Sequence, residues 1–203
     1  MSIDQPTQQI PIFPLNTVLF PGGPLSLRIF EPRYLDMVRD CAAQDGEFGV
    51  NLIVDGKEAG ETPSTVVMGT TARIQDFYTM DDGLLGITAV GVQRYRILKT
   101  ALRDNGLLTA EVALVAPAPA QSLKTEHLLL RTLLERLLDS VSEHYNPQPV
   151  LIEDADWVGS RLSELLPLDG TTRQMLLELD DPGRRLDRLL EIVPQLQSDQ
   201  GSD

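Results

Sequence analysis

Between Ile10 and Tyr34 the chain reads IPIFPLNTVLFPGGPLSLRIFEPRY, and this proline- and glycine-spaced block limits the possible folds more than any other segment. Ile10, Ile12, Val18, Leu19 and Phe20 supply the apolar material of short strands. Pro11, Pro14, Pro21 and Pro24 have no N–H to give to a sheet ladder, so they belong at strand edges, ends or turns. Pro21-Gly22-Gly23-Pro24 reads as a loop. At Phe30-Glu31-Pro32 the signal changes to a helix start, with proline at the first helical position and Glu31 beside the positive helix end. Phe30 and Leu35 are spaced for a hydrophobic staple. The block holds no nucleophile, no general base and no set of metal ligands.

β signals continue to about residue 116. Phe48 to Val54 reads as a strand, as do Thr65 to Tyr78 and Leu84 to Val92, with Asp81-Asp82-Gly83 as a hairpin loop between the latter two. Arg94 to Arg103 and Leu107 to Val115 flank Asn105-Gly106, the pair that a type I′ turn favours. Leu108, Ala110, Val112 and Leu114 alternate with Thr109, Glu111 and Ala113, which buries one face of that strand. The lone helix of this half runs from Pro32 to about Ala43, with Tyr34, Leu35, Val38, Cys41 and Ala42 at helical spacing.

An Ala-Pro run at residues 116–120 separates this half from a helical one. Ser122 is placed to cap a helix reaching about Glu143, and His144-Tyr145-Asn146-Pro147 reads as its exit. Asp154 or Asp156 caps a second helix, Thr171 or Thr172 starts a third, and Asp181-Pro182 opens the last. The expected organisation is residues 1–116, residues 121–197, and a disordered polar tail at 198–203.

The formal net charge of -13 disfavours polyphosphate partners. A single cysteine, Cys41, suits a reducing compartment. The chain shows neither a spanning apolar stretch nor a secretory leader, so the expectation is a cytoplasmic protein without membrane contact.

Pro11-Ile12-Phe13-Pro14-Leu15, Phe20-Pro21-Gly22 and Phe30-Glu31-Pro32-Arg33-Tyr34 resemble the opening of the N-terminal substrate-binding domain of the ATP-dependent Lon proteases. Phe48-Gly49-Val50, Gly69 to Ile74, Asp82-Gly83 and Gly91 to Ile97 resemble that family's later blocks, in order. Arg173 to Glu178 and Arg184-Arg185-Leu186 resemble the helices that follow. The resemblance implies an α+β fold: a PUA-like β-barrel with one inserted helix, then a C-terminal helical bundle. It also implies recognition of protein substrates. The chain has no G-x-x-x-x-G-K-[ST] run, its lysines being Lys57, Lys99 and Lys124, so the expectation is a stand-alone, non-catalytic module.

The partner expected is unfolded or extended polypeptide, with a protease or chaperone as a further partner, and no cofactor or metal. Candidate peptide contacts are Phe20, Pro21, Pro24 and Phe30. The alternative is RNA or another nucleic acid bound by a stripe of Arg73, Arg94 and Arg96, which the net charge disfavours. Cys41, on the apolar face of its helix, reads as core rather than nucleophile. Glu153-Asp154-Ala155-Asp156 precedes a helix and reads as a cap rather than a cation loop. Trp157 reads as a packing anchor between the two parts. Glu31 and Arg33, two positions apart, do not face each other on a helix, so Arg33 is expected to pair with a strand carboxylate.

Overall fold

The structure, a computed structural model, describes residues 7–55, 64–141, 145 and 150–200. It is mixed α+β and divides into two compact units, Met1–Pro117 and Ala118–Asp203. Among the described residues no helix is long and apolar enough to cross a membrane.

The first unit contains β1 (Thr7–Leu15), β2 (Pro24–Ile29), α1 (Pro32–Gln44), β3 (Glu47–Asp55), β4 (Ser64–Thr65), β5 (Met68–Thr79), β6 (Leu85–Leu102) and β7 (Leu108–Leu114). Strands pair in the order β1-β7-β6-β5-β3-β4, with β2 on β6, and β1 pairs with β3 as well. β1 is therefore shared: Thr7–Pro11 run antiparallel to β7, and Ile12–Leu15 run parallel to β3. Of the two prolines in this strand, Pro11 stands where it changes partner and Pro14 lies within the parallel ladder opposite Asn51.

α1 starts at Pro32 with Glu31 as its cap, as the sequence indicates. It buries Arg33, Tyr34, Met37, Val38 and Cys41. Tyr34 stacks on Phe13, with ring centroids 4.0 Å apart, and ties the helix to β1. Phe30 and Leu35 form no buried staple, since they are 54% and 40% exposed. The face turned inward carries Arg33 instead, whose guanidinium meets Glu31 at 2.9 Å and donates to Gly106 O at 3.1 Å. Glu31 lies off the helix as its cap, so helical spacing does not keep the two apart.

β6 is one strand of 18 residues rather than the two shorter ones read from the sequence. Its irregularity at Val92–Gln93 is a bulge against β5, where two residues face one, and not a turn. Gly91 is needed there because a Cβ would run into the backbone carbonyl of Phe20. Gly22 N–H donates to Gly91 O at 2.8 Å, and Gly91 N–H donates to Gly23 O at 2.9 Å. The Pro21–Pro24 segment is thereby fastened to β6.

Inside the strands, fully buried Tyr95 packs with Ile10, Ile12, Ala110 and Val112. Its O–H donates to Asn51 Oδ1, and Asn51 Nδ2 donates to Val66 O at 3.0 Å. Gly49 and Gly69 make room for the hydroxyl: a Cβ at Gly49 would run into Tyr95 Oη and lie 2.7 Å from its Cζ, and one at Gly69 would lie 2.7 Å from Tyr95 Oη.

The second unit has a 3-10 turn at Thr125–His127, then α2 (Leu128–Ser140), α3 (Ala155–Leu165), α4 (Gly170–Glu178) and α5 (Pro182–Gln200). Ser122 bridges to Asp154 instead of capping α2. Asp154 caps α3 by accepting from Trp157 N–H at 2.8 Å, so the capping reading of the acidic run holds. Trp157 itself is buried. Asp169, not a threonine, caps α4 and accepts from Thr172 N–H at 2.9 Å. Ser198 to Gln200 continue α5, where the sequence suggests a disordered tail. His144 lies outside the described residues, as do Asn146 and Pro147.

Buried Arg185 ties these helices together. Nε donates to Leu176 O at 2.9 Å and Nη2 to Leu179 O at 2.8 Å, while Nη1 pairs with Asp156. It thus satisfies carbonyls at the end of α4, where the helix has no internal donors left.

Two substitutions test this arrangement. Tyr95→Phe leaves the buried Asn51 oxygen without its donor and is expected to lower unfolding free energy by about 1–3 kcal/mol in urea titration. Arg185→Leu removes the hydrogen bonds to Leu176 O and Leu179 O and the ion pair with Asp156, and is expected to cost about 2–3 kcal/mol by the same measurement.

Candidate site at the fork between β1 and β3

Because β1 joins β3 only from Ile12 onward, the two strands diverge toward the start of β1. Thr7–Pro11 are paired on the β7 side alone, and Glu47 and Phe48 on the β5 side alone. A cleft of about 620 Å³ occupies this fork. Gln8, Gln9, Ile10 and Pro11 form one wall, and the C-terminal turn of α1 with Gly46 and Glu47 forms the other. Asp45, in the left-handed region at φ 50°, turns the chain from α1 into β3. The bulge in β6 turns Val92, 37% exposed, onto the cleft lining.

Both arginines in the cleft are paired with carboxylates. Arg73 Nη2 lies 2.7 Å from Glu47 Oε1, and Arg103 Nη1 lies 3.9 Å from Asp40 Oδ2. Gln93 Nε2 donates to Val115 O at 2.9 Å. Cys41 also lines the cleft but is buried. Burial, and secondarily the neighbouring Asp40 carboxylate, pushes its thiol up to about 11, with Arg103 acting in the opposite direction. Such a thiol is neutral and a poor nucleophile at physiological pH.

The residues singled out from the sequence are scattered. Phe20 is fully buried and cannot touch a ligand from the surface, because the loop carrying it is bonded to β6. Pro21 and Pro24 are half-buried, and of the four only Phe30 is exposed. Arg73 is paired with Glu47, Arg94 is buried and Arg96 is exposed, so the three do not present a stripe of free guanidinium groups. Sequence reading missed the cleft itself. The one signal near it is Pro11, the last β1 residue in register with β7.

A second cluster lies in the helical unit. Ligand atoms of Glu126, His127 and Asp187 lie within 4.8 Å of one another, a set that could hold a divalent ion. His127 is buried, and its Nε2 already makes a 2.8 Å hydrogen bond with Asp187 Oδ1.

The profile described as the ATP-dependent protease La (LON) substrate-binding domain matches residues 9–195. The chain belongs to the Lon substrate-binding domain family. Lon protease 2 of Herpetosiphon aurantiacus is 27% identical over 198 residues, covering 93% of this chain and 24% of that protein. Protein cereblon of Xenopus tropicalis is 30% identical over 141 residues, covering 64% of this chain and 30% of cereblon. The chain thus spans about a quarter of the length of the curated Lon proteases it matches. A crystal structure of a Lon N-terminal domain protein from Xanthomonas campestris superposes with a TM-score of 0.76 at 44% identity, covering 91% of this chain and 98% of that one. The N-terminal domain of a Mycobacterium avium complex Lon protease shares the fold, with a TM-score of 0.59 at 16% identity and coverage of 91% and 97%.

In this Lon-family domain the buried thiol offers a direct check. At pH 8 Cys41 is expected to react with a disulfide reagent about 10²-fold more slowly in the folded than in the unfolded chain. The sign of its pH linkage follows: stability from the neutral thiol is complete below its ordinary 9.0 and is lost as pH rises toward 11.

Proposed function

We propose that this protein is a non-catalytic polypeptide-binding module that holds extended or partly unfolded segments in the fork cleft. The observation that carries the reading is the cleft itself, a cavity of about 620 Å³ walled by the free edge of β1 and by the turn from α1 into β3, within a substrate-binding domain family. Strand edges present main-chain donors and acceptors at a spacing that an extended polypeptide matches. The fully paired charges on Arg73 and Glu47 and the neutral thiol of Cys41 suit binding better than bond-breaking chemistry.

The same reading takes the pairing circuit β1-β7-β6-β5-β3-β1 as a PUA-like barrel over residues 1–116, and residues 121–197 as a helical bundle appended to it. A module of this kind would serve as an adaptor in proteolysis or protein quality control, presenting segments to a protease or chaperone. Its one cysteine fits the cytoplasm as the compartment. Nucleic-acid binding is the less favoured alternative, since Arg94 is buried and the net charge is -13.

Fluorescence anisotropy with labelled unfolded casein tests the proposal. Saturable micromolar binding is expected without ATP and without cleavage of the casein. Absence of binding by a demonstrably folded protein would refute it.

A further inference from the structure

We infer that the fork takes its ligand as an inserted β-strand, bonded on one side to the first half of β1 and on the other to the start of β3. We infer also that it selects proline-free segments that are neutral to basic. This rests on the polypeptide-binding reading above and adds the geometry and the class of segment.

The pairing scheme carries the argument. At Ile12–Leu15 and Gly49–Leu52 the two strands are direct neighbours. At Thr7–Pro11 and at Glu47–Phe48 each is paired on its far side only. A strand entering the open end continues both ladders, and no other secondary structure offers alternating donors and acceptors to two edges at once. The free edge of Thr7–Pro11 suits about five residues of extended chain, roughly 17 Å long at strand rise. Proline in such a segment would remove a donor from one of the ladders.

The outer edge of β5 differs from the fork. Beyond Arg73, where pairing with β3 stops, β5 pairs only with β6. That stretch carries a register shift between Ile74 and Asp76, and the Asp76 carboxylate accepts from Phe77 N–H at 2.8 Å. A bulge and a charge that takes a main-chain donor are devices that keep an edge from pairing. The fork carries no bulge on β1 or on the start of β3.

Charge decides which segments fit. Asp40, Asp45 and Glu47 line the cleft against Arg73 and Arg103. Both arginines have carboxylate partners there, whereas Asp45 has no ion-pair partner among the described residues. A basic side chain near the turn from α1 to β3 meets Asp45, and an acidic one meets both that carboxylate and a chain of net charge -13.

The test uses a labelled, lysine-bearing Val/Thr-rich peptide, a version with the lysines replaced by glutamate, and two versions N-methylated at alternate residues in complementary registers. Anisotropy is expected to show each N-methylated version binding about tenfold or more weakly, because each loses the donors for one ladder. The glutamate version should bind more weakly than the lysine one, and Asp45→Asn should narrow that difference. Amide exchange of the unmodified protein should show protection by the peptide at Gln8–Ile10 and Glu47–Phe48. Loss of affinity in only one N-methyl register or in neither, or protection elsewhere, for instance around Phe30 and Leu35, overturns strand insertion. The polypeptide-binding reading survives that result if casein still binds. Failure of both casein and peptide to bind removes both.

Discussion

The first unit depends on one strand having two partners. β1 gives its first five residues to β7 and its last four to β3, and this division joins the two ends of the strand circuit. Pro11, which lacks a donor, stands at the point where one ladder ends and the other begins. The price of sharing a strand is that two edges are left without neighbours where β1 and β3 part. The fold and the candidate site therefore have the same cause.

Each unit has one buried polar group that fixes the placement of its own elements. Tyr95 sits among aliphatic side chains with its hydroxyl on Asn51, and glycines at 49 and 69 leave the space it needs. Arg185 gathers Asp156 and the last carbonyls of α4. Each group is costly to bury and costlier to strand, so the arrangement that satisfies all its partners excludes near alternatives. Apolar packing such as Phe13 on Tyr34 supplies driving force, while these groups supply specificity.

Much of the local structure was legible in the chain. Proline at the first position of α1, Asn-Gly between β6 and β7, and Asp154 before α3 act through backbone chemistry that neighbouring residues alone define. Errors arose where a distant partner overrides local preference. Phe30 and Leu35 have staple spacing, yet the inward face of the helix went to Arg33 because Glu31 and Gly106 O were there to receive it. The sequence reads β6 as two strands, Leu84 to Val92 and Arg94 to Arg103, whereas the strand is unbroken and Gly91 is the place where the Phe20 backbone closes on it. Phe20 reads as a contact residue in a proline loop, but bonds from Gly22 and Gly23 to Gly91 bury it.

The sequence by itself determined the order and kind of most elements, the family, and the acidic, proline-punctuated character of the chain, because these depend on residues close together or on composition. Only the tertiary structure decided where a ligand can bind. The fork arises from pairings between residues about forty and about a hundred positions apart, Ile12 with Gly49 and Gln8 with Val112, and no local pattern encodes the gap between two such ladders.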